Sequence, residues 1–321
     1  MSRAAARDLL DVLGIDRALV QAPIGSCSST ALVAAVSETG ALGTLACTWT
    51  PPAELARVVA SVRALSARPF AANLVLSFEP EAQLDALLAL AVPVLTFSWG
   101  QPGRERIARC HDAGTRVAVQ VGSAAGARQA VADGADVLIA QGIEAGGHVQ
   151  STTALDELIG LVVEVAGTTP VIATGGLTVR QDVTRAHARG AAGTMLGTRF
   201  VASAESGAHP EYKAALVAAE DHATALTICF DGSWRHAPHR VLRNATFERW
   251  EEAGCPPPGR RPGEHSPPGV RAGVAIARYE DAPPLVGDSG AIGEMCLYAG
   301  AGCAGIDDVP TAAQLVERLT A

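Results

Sequence analysis

Along the first two hundred positions, short uninterrupted apolar runs alternate with longer stretches in which apolar side chains recur every three or four residues. The runs predict eight strands: "LVQAPI" (19–24), "ALGTLA" (41–46), "FAANLVL" (70–76), "PVLTF" (93–97), "TRVAVQV" (115–121), "ADVLIA" (135–140), "PVIAT" (170–174) and "AGTMLG" (192–197). They lack apolar–polar alternation, as strands covered on both faces do. The periodic stretches predict helices near 29–38, 52–66, 80–91, 104–113, 123–132, 154–166 and 178–189. Pro51-Pro52 opens the second helix, and Gly40, Gly114, Gly134 and Gly190 stand where C-cap glycines belong.

Eight strands, each followed by a helix, are the arithmetic of a (β/α)8 TIM barrel within the α/β class. A doubly wound sheet has the same spacing, but no GxGxxG follows the first strand. Past position 204 the texture changes. A helix is expected over 209–220, and "CPPPGRRPGEHSPPG" (255–269) is too rich in proline for a regular element. "GAIGEMCLYAGAGCAGI" and the helix "TAAQLVERL" then close the chain. The expected organisation is a barrel over 1–204 and 286–321, with an irregular and helical insertion over 205–285 acting as a substrate lid. The opening "MSRAAARDLLDVLGI" reads as a short helix closing the barrel bottom, without the apolar core of a signal peptide.

Composition narrows the function classes. The chain has 321 residues, 48% hydrophobic and 18% charged, with a formal net charge of −8 and no basic stripe, so nucleic acid is not an expected partner. No apolar run approaches a membrane span. Seven cysteines are scattered without a CxxC, which fits reduced thiols in a cytoplasmic protein and neither a disulfide framework nor a metal site. Cys27, near a strand end, is read as a small residue in a tight turn.

Candidate chemistry lies at the C-terminal strand ends, where βα barrels bind ligands. Gly175-Gly176 in "ATGGLT" and Gly197-Thr198 in "LGTRF" offer backbone N–H groups to a phosphate. Gln21, Ala22, Pro23, Ile24, Asn73, Gln120 and Gln141 offer uncharged backbone and amide groups that suit both edges of a flat heterocycle such as isoalloxazine. "QGIEAGGHV" places His148 behind small glycines at the sixth strand end, within reach of anything stacked on such a ring. Histidine titrates near neutrality and serves as acid, base or cationic anchor.

These segments resemble the flavin-dependent nitronate monooxygenases, also called 2-nitropropane dioxygenases. The resemblance rests on "QAPI" (21–24), "AAVSETGALGTL" (34–45), "AQGIEAGGH" (140–148), "ATGGLT" (173–178), "GTRF" (197–200) and "YAGAGCAGI" (298–306). It implies FMN contacts at Ala22, Pro23, Ile24, Asn73 and Gln120. It further implies Gln141, Gly142, Gly146 and Gly147 beside the flavin, and Gly175, Gly176, Gly197 and Thr198 around its phosphate. His148 matches the family's catalytic histidine. The implied reaction is oxidation of alkyl nitronates or nitroalkanes by O2 to a carbonyl compound and nitrite, by a monomer or homodimer. An FMN-dependent enoyl reductase, a specialised-pathway flavin oxidoreductase and a flavin-binding protein without turnover are the alternatives.

Two departures stand out. Gly300-Ala301 occupies a place where many members carry Gly-Gln, and 221–290 matches poorly. Glu144 is read as orienting the loop or the imidazole, or as capping backbone N–H groups. Tyr212 and Lys213 are read as a solvated face that can rim the pocket. Trp234 and Trp250 are read as packing residues that can form an apolar lid. His111, His187, His209, His222, His236, His239 and His265 are read as structural.

Overall fold

The computed structural model describes residues 9–321. Eight parallel strands form its centre: β1 (Leu19–Gln21), β2 (Gly43–Ala46), β3 (Phe70–Val75), β4 (Val94–Ser98), β5 (Arg116–Val121), β6 (Val137–Gln141), β8 (Val171–Thr174) and β9 (Gly193–Leu196). The label β7 belongs to a two-residue strand, Gly147–His148, outside the barrel. Neighbouring strands pair in the order β1-β9-β8-β6-β5-β4-β3-β2. A parallel bridge between Val20 and Leu42 joins the two ends, with Gln21 N donating to Leu42 O at 2.9 Å and Leu42 N to Leu19 O at 3.0 Å. The sheet therefore closes, and the barrel expectation holds over the doubly wound one.

All eight expected strands are present. The first is shorter than its apolar run: Ala22-Pro23-Ile24 leaves the sheet, since Pro23 has no N–H to give a ladder. Gly40, Gly114, Gly134 and Gly190 each adopt positive φ after a helix, as expected of C-caps.

Inside the barrel, Val20, Leu42, Ala71, Val94, Ile139 and Met195 pack around Leu9 and Leu13. Residues 9–13 are helical and plug the bottom of the barrel; the rest of the expected N-terminal helix, 1–8, lies outside the described residues. With the floor filled by apolar side chains, the open end is the C-terminal one.

The helix that follows the eighth barrel strand in sequence is a four-residue turn, Thr198–Val201. The outer position beside β1 is taken instead by the C-terminal helix Ala312–Thr320. Its Leu315, Val316 and Leu319 pack with Leu32, Val36 and Val183.

Between them, β10 (Thr224–Thr227) and β11 (His239–Leu242) form an antiparallel pair, and β11 pairs in turn with β7. His239 stands opposite His148, and Arg240 opposite Gly147. The chain after the eighth strand is thereby laced to the loop after the sixth. A second small sheet (Gly269–Arg271, Val274–Ile276, Ser289–Gly290) and the helix Ala245–Glu252 complete the region. A buried ion pair ties it together: Arg261 donates to both carboxylate oxygens of Asp231, at 2.7 and 2.9 Å. Among the described residues, no helix is long and apolar enough to cross a membrane.

Candidate active site

A cavity of about 380 Å³ opens at the C-terminal mouth of the barrel. Its size falls within the roughly 300–1,000 Å³ of small-molecule sites. Of the sequence-predicted site residues, Ala22, Pro23, Ile24, Asn73, Gln120, Gln141, Gly146, Gly147, His148, Gly175, Gly176, Gly197 and Thr198 all line it. Gly142 does not. It is buried one layer behind, where an added Cβ would fall 2.5 Å from Leu155 Cβ, so its bare Cα serves the packing of helix Leu155–Ala166.

Three glycine-bearing loops meet along one side. Thr198 Oγ1 accepts from Gly300 N at 2.9 Å, and Ala301 N donates to the Glu144 carbonyl at 2.9 Å. A Cβ on Gly146 would fall 2.5 Å from Gly300 N and 2.6 Å from Ala299 C, distances that only glycine tolerates. Gly175 and Gly176 have φ of +123° and +69°. The result is a wall of backbone without charged side chains. Beside it, Gly147 faces open space, with no atom within 4 Å of an added Cβ. This cradle fits a planar phosphorylated group such as FMN: it presents bare backbone to an anion and leaves room for a ring.

The polar side chains at the other strand ends divide by availability. Asn73 donates from Nδ2 to Thr96 O and Oγ1, at 3.1 and 3.0 Å. Gln141 donates to His148 O at 3.1 Å, and its Oε1 accepts from Gln150 N at 3.0 Å, so much of its amide holds its own loop. Gln120 makes no side-chain hydrogen bond to the described residues and borders the cavity directly. Gln150, which the motif reading missed, joins three strand ends: it accepts from Trp99 N at 2.9 Å and donates to Gln120 O at 3.0 Å. No sequence signal marks it, because its partners are backbone atoms distant along the chain.

His148, directly after Gly147, also lines the cavity. Its Nε2 is buried and has no hydrogen-bond partner among the described residues. Burial, reinforced by nearby His239, pushes the imidazole down to about 3 although Asp281 pulls the other way, so it is neutral at physiological pH. Rings surround it: Trp234 stacks at 4.3 Å, and His239 and Tyr298 lie tilted at 5.3 and 5.6 Å. His239 itself is structural. Its Nε2 accepts from Phe230 N at 3.2 Å, which leaves Nδ1–H to donate to Ala237 O at 2.9 Å.

Glu144 caps: both carboxylate oxygens accept from Leu155 N, at 3.2 and 2.9 Å, at a helix start whose own N-cap, Ala154, has no side-chain acceptor. Tyr212 is buried, not solvated, and its hydroxyl donates to the Tyr298 carbonyl. Lys213 is half-buried and donates to the carbonyls of Ala204 and Ser206. Trp250 is core, whereas Trp234 lines the cavity. Cys27 lies in the cavity wall, its thiol pushed up to about 12 by burial.

Glu280 and Asp281 border the aromatic end. Burial and the adjacent Asp281 raise the Glu280 carboxyl to about 7. No lysine or arginine is among the described residues lining the cavity, and no cluster of three or more described His, Cys, Asp or Glu residues could hold a metal.

With this geometry in hand, known proteins supply the family. A family model described as nitronate monooxygenase matches residues 7–86 and 78–321. The chain belongs to the nitronate monooxygenase family. Its members are flavin-dependent oxidoreductases, and so is this protein. A nitronate monooxygenase of Pseudomonas aeruginosa is 31% identical over 281 residues, covering 73% of this chain and 80% of its own. Also similar is a (3aS,4S,5R,7aS)-5-hydroxy-7a-methyl-1-oxo-octahydro-1H-indene-4-carboxyl-CoA dehydrogenase of Mycobacterium tuberculosis, 34% identical over 245 residues, covering 76% and 68%. Among solved structures, nitroalkane oxidase from Streptomyces ansochromogenes superposes with a TM-score of 0.79 at 30% identity, covering 97% of this chain and 96% of that one. FabK from Thermotoga maritima superposes at 0.83 with 28% identity, covering 97% and 94%.

Proposed function

We propose that this protein is an FMN-dependent oxidase of small nitroalkanes and their nitronates, using O2 and releasing a carbonyl compound and nitrite. The observation that carries the reading is that His148, whose buried Nε2 has no hydrogen-bond partner among the described residues, lines the same cavity as the glycine backbone. The nitronate monooxygenase relative and the nitroalkane oxidase neighbour support the substrate class.

The loops of Gly175-Gly176 and Gly197-Thr198, at the ends of the seventh and eighth barrel strands where barrel enzymes hold phosphates, would hold the FMN phosphate. Ala22, Pro23 and Ile24, with Gln120 and Asn73, would border the ring. Bound there, the flavin supplies the electron acceptor that O2 reoxidises.

The charges favour entry of the neutral nitroalkane. The lining has the carboxyl groups of Glu280 and Asp281 and no cationic side chain, so the neutral nitroalkane enters more readily than its anion. His148, being neutral, takes the α-proton at Nε2. The resulting imidazolium then pairs with the nitronate, and that contact raises the histidine's basicity as the proton arrives. The aromatic rings around it keep water out.

The test is direct. Purified protein should carry a yellow cofactor identified as FMN by mass. Anaerobic addition of nitroethane or its nitronate should bleach it, and air should restore the colour with nitrite release. A colourless protein that FMN does not reconstitute sinks the cofactor assignment, and bleaching without nitrite sinks the substrate assignment. A second reading, oxidoreduction next to an acyl carbonyl, is favoured by the carboxyl-CoA dehydrogenase relative and by the aromatic rings that line the cavity. Rapid bleaching by NADH or NADPH would favour its enoyl-reductase form.

A further inference from the structure

The chain joining β10 to β11 carries Trp234 over the imidazole of His148, with ring centroids 4.3 Å apart and planes inclined by 29°. Both flanks of that connection are anchored. Ser233 Oγ donates to the Asp281 carboxylate, at 3.0 and 2.8 Å, and Val149 N donates to Pro238 O at 2.8 Å. The indole is also buttressed edge-on by Trp99 at 4.6 Å and Phe78 at 4.9 Å. Trp99 sits at φ +57°, a conformation costly for a bulky residue, with its N–H bonded to Gln150.

Trp234 is not needed for the core of the inserted region. That core is built from Phe230, Val241, Phe247, Trp250 and Tyr279, and Trp234 is absent from it. The ring instead occupies cavity wall beside His148, Ser233 and Asp281. A large side chain in that position fixes the volume available above the imidazole.

We propose that Trp234 limits substrate size at the flavin site and is the positioning residue for His148. The inference rests on the oxidase reading given above. A tail on the reacting carbon must pass the indole, so the wild-type cavity takes short chains. The stacked ring also holds the imidazole plane and removes water from it. The other groups facing that imidazole are His239 on β11, Tyr298, Asp281 and Trp99, the last edge-on at 6.1 Å, and none of them stacks on it.

The test compares wild type with Trp234→Ala and Trp234→Phe, all as flavin-loaded proteins. Across nitroethane, 1-nitrobutane and 1-nitrohexane, kcat/KM should fall with length in the wild type. In Trp234→Ala the hexane-to-ethane ratio should rise at least tenfold, mainly through KM. The Phe variant should lie between. Independently of turnover, NMR titration of ring-labelled histidine should find His148 neutral throughout pH 5–8 in the wild type. In Trp234→Ala its midpoint should move upward toward an ordinary histidine's. An unchanged length preference, or an unchanged titration, in a variant with native circular dichroism overturns the proposal. If the wild type turns over no nitroalkane, the oxidase reading fails separately, and the titration still decides whether Trp234 governs His148. Should the Ala variant not fold, the Phe variant must show the same two shifts in smaller degree, and their absence there overturns the proposal.

Discussion

Gln141, the last residue of β6, donates from its side chain to the backbone carbonyl of His148 at 3.1 Å, while its Oε1 accepts from Gln150 N at 3.0 Å. The two bonds clasp the base of the 142–149 loop and set where the imidazole begins. Gln141→Leu keeps the volume and removes the clasp. The expected result is a fall in kcat of about 10–100-fold, the cost of a small displacement of a reacting group, with flavin absorbance retained. Loss of flavin with unchanged specific activity per flavin would show that the amide serves the cofactor instead.

Removing the imidazole should be more severe. His148→Asn is expected to lower kcat/KM by about 10²–10⁴-fold, the usual worth of a positioned acid–base group, while the purified variant keeps its cofactor. Starting the reaction from preformed nitronate should recover much of the loss, since the proton is already gone. Equal losses with nitroalkane and nitronate would argue against proton removal as the role.

The same residue sets an acid limit on stability. Its folded-state value, about 3, lies below the ordinary 6.5 of an exposed histidine. Above pH 6.5 both folded and unfolded chains hold it neutral, and it contributes no pH dependence. As pH falls from 6.5 toward 3, the unfolded chain takes the proton and the folded chain resists it, so stability drops by up to about 1.4 kcal/mol per pH unit from this group. Urea midpoints measured between pH 7 and 4 should fall less steeply in His148→Asn than in the wild type.

Glu144 stands four residues from His148 but works on the helix. Glu144→Ala is expected to cost about 0.5–2 kcal/mol, the range for a lost N-terminal cap, seen as a lower denaturation midpoint. The pH profile of kcat/KM should keep its shape. A changed profile would mean that the carboxylate orients the imidazole after all.

Gly146→Ala tests the loop junction. The new methyl would press on the backbone of Ala299 and Gly300, which has no rotamer to yield. A loss of about 1–3 kcal/mol is expected, accompanied by weaker FMN retention on gel filtration. Gly147→Ala, where the methyl meets no protein atom but φ is +73°, should lose less stability for a comparable loss of cofactor.

The barrel was legible because its signals are local. Uninterrupted apolar runs such as Val137-Leu138-Ile139-Ala140 mark strands buried on both faces, and glycines such as Gly134 and Gly190 mark helix ends through the sign of φ. Strand ends follow from strands, and thirteen of the fourteen residues expected from those ends and from the family resemblance line the cavity. Gly142 looked identical in the motif to Gly146, and only packing separates the glycine that admits helix Leu155–Ala166 from those lining the site.

What the amino-acid sequence determined by itself, then, was the eightfold βα alternation, the glycine loops and the presence of one histidine among them, since each is a short-range consequence of side-chain volume, polarity and backbone freedom. Tertiary structure alone decided the environment of that histidine. The pairing of β11 with Gly147–His148, the descent of Trp234 onto the imidazole and the burial of Tyr212 all join positions tens of residues apart through backbone hydrogen bonds and ring contacts. Nearly any residue can make a backbone hydrogen bond, so such pairings leave no mark in composition or periodicity. The basicity of His148 is likewise set by what closes over it in space, not by its neighbours in the chain.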